Sequence, residues 1–128
     1  MKRVLILGLV LLSGVFLSPG QARTTNIERA VVQFNEPVKL LGVILKGRYL
    51  FIHHDGMMAK GKPCTYVYTL DPSHEGKFIV SFHCQPIPRE KASEFKIFTS
   101  HKVLPDLPEV EEIQFAGSGE GHHILRGD

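Results

Sequence analysis

Residues 64–84 read CTYVYTLDPSHEGKFIVSFHC, and this stretch decides the fold. Two runs, 64–70 and 77–84, alternate with period two and carry the β-branched and aromatic residues that suit a half-buried pleated surface. Asp71-Pro72 and Gly76 between them are turn chemistry. The pattern predicts a β-hairpin with Leu70 opposite Phe78, Tyr68 opposite Val80, Tyr66 opposite Phe82 and Cys64 opposite Cys84, all on one side. The only two cysteines of the chain then meet across the open end of the hairpin.

Outward from the hairpin, the chain continues in short extended runs. Upstream, residues 27–34, 38–45 and 48–55 read as strands, separated by Asn35-Glu36-Pro37 and by Lys46-Gly47, with Gly42 as a bulge or close-approach point. In the third of these runs Tyr49, Phe51 and His53 share one face, and Leu50, Ile52 and His54 the other. Residues 56–63, GMMAKGKP, are a loop by their glycines and proline. Downstream, residues 93–101 and 110–117 are further strands, and 118–128 a glycine-rich tail. Seven short strands with regular turn signals and no helical period predict an all-β fold, a single antiparallel β-sandwich or small barrel over residues 23–117. Tyr49, Phe51, Tyr66, Tyr68, Phe82 and Phe95 are its expected large core residues.

Residues 1–22, MKRVLILGLVLLSGVFLSPGQA, have the parts of a cleavable secretory signal in order: Lys2 and Arg3, an apolar run over 4–17, then a breaker and small residues. That apolar run is shorter than the roughly 20 residues a spanning helix needs, so no membrane span is expected after cleavage. The signal holds two of the 15 Lys and Arg and none of the 13 Asp and Glu, so residues 23–128 are formally neutral. A nucleic-acid partner has no electrostatic support. The expected location is secreted or periplasmic.

Residues 34–49, FNEPVKLLGVILKGRY, resemble the opening of a loosely defined group of small secreted bacterial proteins, through Phe34, Pro37, Val38, Gly42, Leu45, Gly47 and Tyr49. The segments HHDGMMAKGKPCTYVY, VSFHCQPIPR and EIQFAGSGEGHH look similar to a histidine- and cysteine-bearing subset of that group. The resemblance implies a compact β-sandwich and an exported protein. It brings no catalytic residue with it.

Chemistry can come from few places. In an oxidising compartment Cys64 and Cys84 form a disulfide, closing a loop whose restriction is worth roughly 3 kcal/mol on the entropic model. A sharper reading groups His53, His54, Asp55, Met57, Met58, His83 and the cysteines at one rim, with His122 and His123 added if the tail folds back. Imidazole, thiolate and thioether suit copper, and imidazole with thiolate suits zinc. Against this, His83 and Cys84 are neighbours on a strand and face opposite ways. Ser81 and His83 share a face, but no nucleophile elbow or oxyanion loop accompanies them, so an enzyme is not expected. Glu109, Glu111 and Glu112 read as a charged sheet edge. The functional expectation is a non-catalytic binding or structural module for an unknown small-molecule or protein ligand, with no cofactor. The alternative is a periplasmic copper- or zinc-binding protein using His53, His54, Met57, Met58, His83 and His122.

Overall fold

A computed structural model describes residues 26–71, 74–101 and 105–126; the expected signal over 1–22 lies outside them. The expected all-β architecture of seven antiparallel strands is present, as one sheet curled into a half-barrel in place of two separate stacked sheets. The strands are β1 (Ile27–Leu40), β2 (Val43–His54), β3 (Thr65–Asp71), β4 (His74–Pro88), β5 (Lys96–Thr99), β6 (Val110–Gln114) and β7 (Glu120–Leu125). One short helix, α1 (Asp55–Ala59), follows β2 where the glycines and proline predict a loop. The sheet order is β1-β2-β3-β4-β7-β6-β5.

The 15-residue strand β4 makes the curl. Its first part, up to Phe82, pairs with β3, and its second part, His83 to Pro88, pairs with β7. One strand thus belongs to both halves of the sheet, and the halves fold toward each other across it. The far ends close where the Lys39 N–H donates to the Pro108 carbonyl at 2.9 Å. Between the halves lie Phe34, Leu40, Leu45, Phe51, Val67, Phe82, Val110, Ile113, Phe115 and Ile124. Alternation along β2 and β3 sends Phe51, His53, Thr65 and Val67 into this core. Tyr66 and Tyr68 take the other face, against His54 and Phe78 respectively. They are not core residues, which corrects the reading of the aromatic set. Tyr49 and Phe95 pack at the core margin.

Strand boundaries depart from the sequence expectation in three places. The chain reverses at Leu41-Gly42, both at positive φ (48° and 84°), as a two-residue hairpin of the primed type demands. Leucine is a rare residue there, so the turn carries no familiar dipeptide; partial burial of Leu41 against the core offsets its backbone strain. Asn35-Glu36-Pro37 and Lys46-Gly47, expected to end strands, face each other across a register shift between Phe34 and Val38. Two sets of breakers placed opposite one another bend a hairpin without cutting it. The third departure is the expected tail: residues 120–125 form β7, seated between β4 and β6.

The central hairpin forms, with bulges that shift its register. Tyr68 pairs with Phe78, Val67 with Val80, Tyr66 with Ser81 and Thr65 with Phe82. By simple alternation a one-residue slip would turn the cysteines to opposite faces. Cys64, however, precedes β3 and is not bound by the pleat. Its N–H donates to the Phe82 carbonyl at 2.9 Å and its sulfur turns inward. Cys64 and Cys84 are joined in a disulfide with Cα atoms 6.0 Å apart, within the usual span.

The acidic strand is likewise no edge, since β6 runs between β5 and β7. Glu112 is buried and takes a bidentate pair from Arg89, with Nε to Oε2 at 2.7 Å and Nη2 to Oε1 at 2.5 Å. Arg89 also lies 5.4 Å over the Phe98 ring. Gly121 makes room for this pair, because a Cβ there would collide with the Glu112 carboxylate.

Candidate metal centre

The site is assembled from one cross-strand row and one residue carried in by the curl. On the inner face, β1, β2, β3 and β4 align Glu28, His53, Thr65 and Phe82. β7 brings His122 over this row, with ring centroids of His53 and His122 4.0 Å apart and planes 31° from parallel. Phe115 flanks both rings, at 5.8 Å from His53 and 6.2 Å from His122.

The two histidines have different surroundings. His53 is fully buried and satisfied: Nε2 lies 2.8 Å from Asp55 Oδ1, and Nδ1 3.1 Å from Thr65 Oγ1. A carboxylate only accepts, so in the neutral ring the proton sits on Nε2 and the Thr65 hydroxyl donates to Nδ1. His122 is 1 % exposed, yet neither of its ring nitrogens has a hydrogen-bond partner. An unpaired buried imidazole costs about 1–3 kcal/mol, so a group in this state calls for an explanation.

Electrostatics set the protonation of the cluster. Burial lowers the pKa of His122 to about 4, and the neighbouring His53 pushes in the same direction. Burial also lowers His53, against the pull of Asp55. The Glu28 carboxyl is raised, first by burial and then by Asp55 and Glu120. Two neutral imidazoles therefore lie beside carboxylates that crowd each other, and His122, unpartnered at both nitrogens, keeps its lone pair free for a cation.

One ligand atom each from Glu28, His53 and His122 lies within 4.8 Å of the others, as do atoms of His53, Cys64 and Cys84. Ligands of a tetrahedral zinc ion sit about 3.3–3.8 Å apart, given bond lengths near 2.0–2.3 Å. Capture of an ion by the first set thus needs a contraction of at most about 1.5 Å. It also needs one of the stacked rings to turn, because imidazole lone pairs lie in the ring plane.

Of the ligands expected from the sequence, the structure brings His53, Asp55, His122 and the two cysteines together and separates His54, Met57 and His83 from them. His54 faces outward onto Tyr66 and, with Ile27, Gly56, Met57 and Lys60, lines a shallow cleft of about 130 Å³. Met58 packs against the core, and His83 is exposed where Cys84, its neighbour, is buried. The rim cluster is therefore two separate groups on opposite faces of β2. Glu28 and Thr65 were missed as participants. Their signal was present, since Glu28 is in phase with Ala30, Val32 and Phe34, and Thr65 with Val67: polar residues on an otherwise apolar face.

Asp55, His53 and Thr65 stand in the order of an acid, a base and a hydroxyl nucleophile, but Thr65 is 0 % exposed and its Oγ1 lies 3.2 Å and 3.6 Å from the two sulfurs. No substrate carbonyl can approach that oxygen in this arrangement. A larger surface cleft of about 310 Å³ includes Glu109, His123 and Arg126, and Arg126 is already paired with Glu109 at 2.9 Å. No helix among the described residues is long and apolar enough to cross a membrane. Comparison with protein-family models, with curated proteins and with solved structures finds no match.

Proposed function

We propose that this chain is an exported metal-binding protein, doing no covalent chemistry, that holds a zinc-like divalent cation between His53, His122 and Glu28. The observation that carries the reading is the buried, doubly unpartnered imidazole of His122 beside His53. A metal ion bound by one of its nitrogens turns that cost into a bond and neutralises the carboxylates gathered around it. Two imidazoles with a carboxylate are a donor set for zinc, with copper(II) as the nearest competitor. Asp55, hydrogen-bonded to His53, supplies the carboxylate–histidine contact that orients metal-bound imidazoles in general. Export is supported by the charged start, apolar run and small-residue end of residues 1–22, and by the disulfide.

Elemental analysis of untagged protein purified from its native compartment tests the proposal. The expected result is about one zinc or copper ion per chain, lost in His122→Ala. Absence of a stoichiometric ion, together with no zinc uptake by the purified protein in competition with a chromophoric chelator, would overturn it.

A further inference from the structure

We infer that Cys64 and Cys84 are a second, redox-gated pair of metal ligands, engaging Nδ1 of His53 once their disulfide is reduced. The inference rests on the reading of His53 as a metal ligand and extends it. His53 has two chemically distinct sides. Nε2 is held by Asp55. Nδ1 looks toward Thr65 Oγ1, which is itself 3.2 Å from Cys64 Sγ and 3.6 Å from Cys84 Sγ. His53 and both sulfurs place ligand atoms within 4.8 Å of each other. Thr65 sits where an ion would sit, bridging the ring and the sulfurs. Its displacement leaves one imidazole and two sulfurs converging on a buried point, with water or His122 for the fourth position. Imidazole with two thiolates is a stronger zinc and copper(I) donor set than imidazole with carboxylate.

The gating step balances with a dithiol as reductant. A thiolate of the dithiol attacks the Cys84 sulfur, the more exposed of the two at 8 % against 0 %. The S–S bond breaks, and Cys64 leaves as a thiolate and takes up a proton. The second thiol of the reductant resolves the mixed disulfide, freeing Cys84 and leaving the reductant oxidised. Two electrons and two protons have then passed to the protein. Zinc uptake displaces those two protons as the thiols become thiolate ligands. In an oxidising compartment the protein offers only the imidazole–carboxylate site. Exposure to a dithiol converts it to a sulfur site of higher affinity.

Cobalt(II) is the probe, because thiolate ligation gives an intense near-ultraviolet charge-transfer band that imidazole and carboxylate do not. Oxidised and dithiol-reduced full-length protein are titrated anaerobically, with zinc affinity measured by chelator competition. The expected result is a band in the reduced protein alone, abolished by zinc, with zinc affinity tighter than in the oxidised form. His122→Ala is expected to lose cobalt binding when oxidised and to keep the band when reduced. A Cys64→Ser/Cys84→Ser variant, checked for folding by circular dichroism, is expected to lose the band and retain imidazole–carboxylate binding. Reduced protein that binds cobalt without the band, or whose thiols alkylate equally fast with and without zinc, overturns the inference and leaves the imidazole–carboxylate site standing. A band in reduced protein whose oxidised form binds nothing supports the redox-gated pair and overturns the proposed function instead.

Discussion

His122 lies face to face with His53 at 4.0 Å, yet only His53 has hydrogen-bond partners. Two rings of the same chemistry share one apolar box; one is oriented by Asp55 and Thr65, and the other is left open. Core packing alone favours a hydrocarbon at position 122, so the imidazole there costs stability that binding can return.

That cost is measurable by replacing His122 with phenylalanine, which keeps an aromatic ring and deletes both unpartnered nitrogens. The metal-free variant is expected to gain about 1–3 kcal/mol in urea unfolding and to lose zinc binding in the oxidised state. A variant that is less stable than the parent would mean that the imidazole is satisfied in the folded protein.

The histidine pair also sets an acid sensitivity. With a folded pKa of about 4 against an ordinary value of 6.5, His122 takes up its proton more readily when the chain is unfolded. Its contribution is fully present above pH 6.5 and declines as pH falls toward about 4, a loss on the order of 2–3 kcal/mol. His53 acts in the same sense. Glu28, whose folded pKa is raised, acts in the opposite sense, its penalty at neutral pH being relieved by acid. Denaturant midpoints of metal-free protein at pH 7, 5.5 and 4.5 are expected to fall, and the slope to flatten in His122→Phe.

The disulfide restrains two residues 20 apart in sequence. Its loss through Cys64→Ala/Cys84→Ala in metal-free buffer is expected to lower stability by about 3 kcal/mol. Parallel urea melts check this, and an unchanged midpoint would show that the unfolded chain does not feel the crosslink.

Arg89 and Glu112 are expected to couple. Removing the arginine leaves a carboxylate buried without its bidentate partner, whereas removing the charge first spares that cost. Arg89→Ala is therefore expected to destabilise the wild-type chain more than it destabilises Glu112→Gln, with Gly121→Ala perturbing the same pair by collision. A double-mutant cycle with no interaction energy would contradict the geometry.

The remaining backbone expectation concerns Gly42, at φ 84° in the first hairpin turn. Gly42→Ala meets no neighbouring atom within 4 Å, so the whole of its expected loss, about 1 kcal/mol, comes from the left-handed conformation. Thermal unfolding of the variant measures it.

Period-two patterning made the alternation of each strand legible in advance, since it is a local property of extended chain, and Phe51 and Phe82 lie in the core as expected. Which face of β3 turns inward was misread, with Val67 in the core where Tyr66 and Tyr68 were expected. The cysteine partnership was equally legible, with only two candidates in the chain. Strand ends were less so. Leu41 gave no turn signal, and breakers such as Pro37 and Gly47 look alike in a bulge and in a loop. Residues 118–128 read as a tail because their glycines and polar residues hide a strand that pairs with β6, just upstream, and with β4, which lies far away in sequence.

Local chemistry by itself determined an all-β chain, the alternation of its strands, and a cysteine pair at the open end of the hairpin. The meeting of His122 with His53 and the enlistment of Glu28 were decided only by the tertiary structure, through the curl of the sheet about β4. Periodicity tells each strand which side is apolar. Which polar residues of distant strands share that side is set by sheet order and by packing across the core, and neither is written in any one segment.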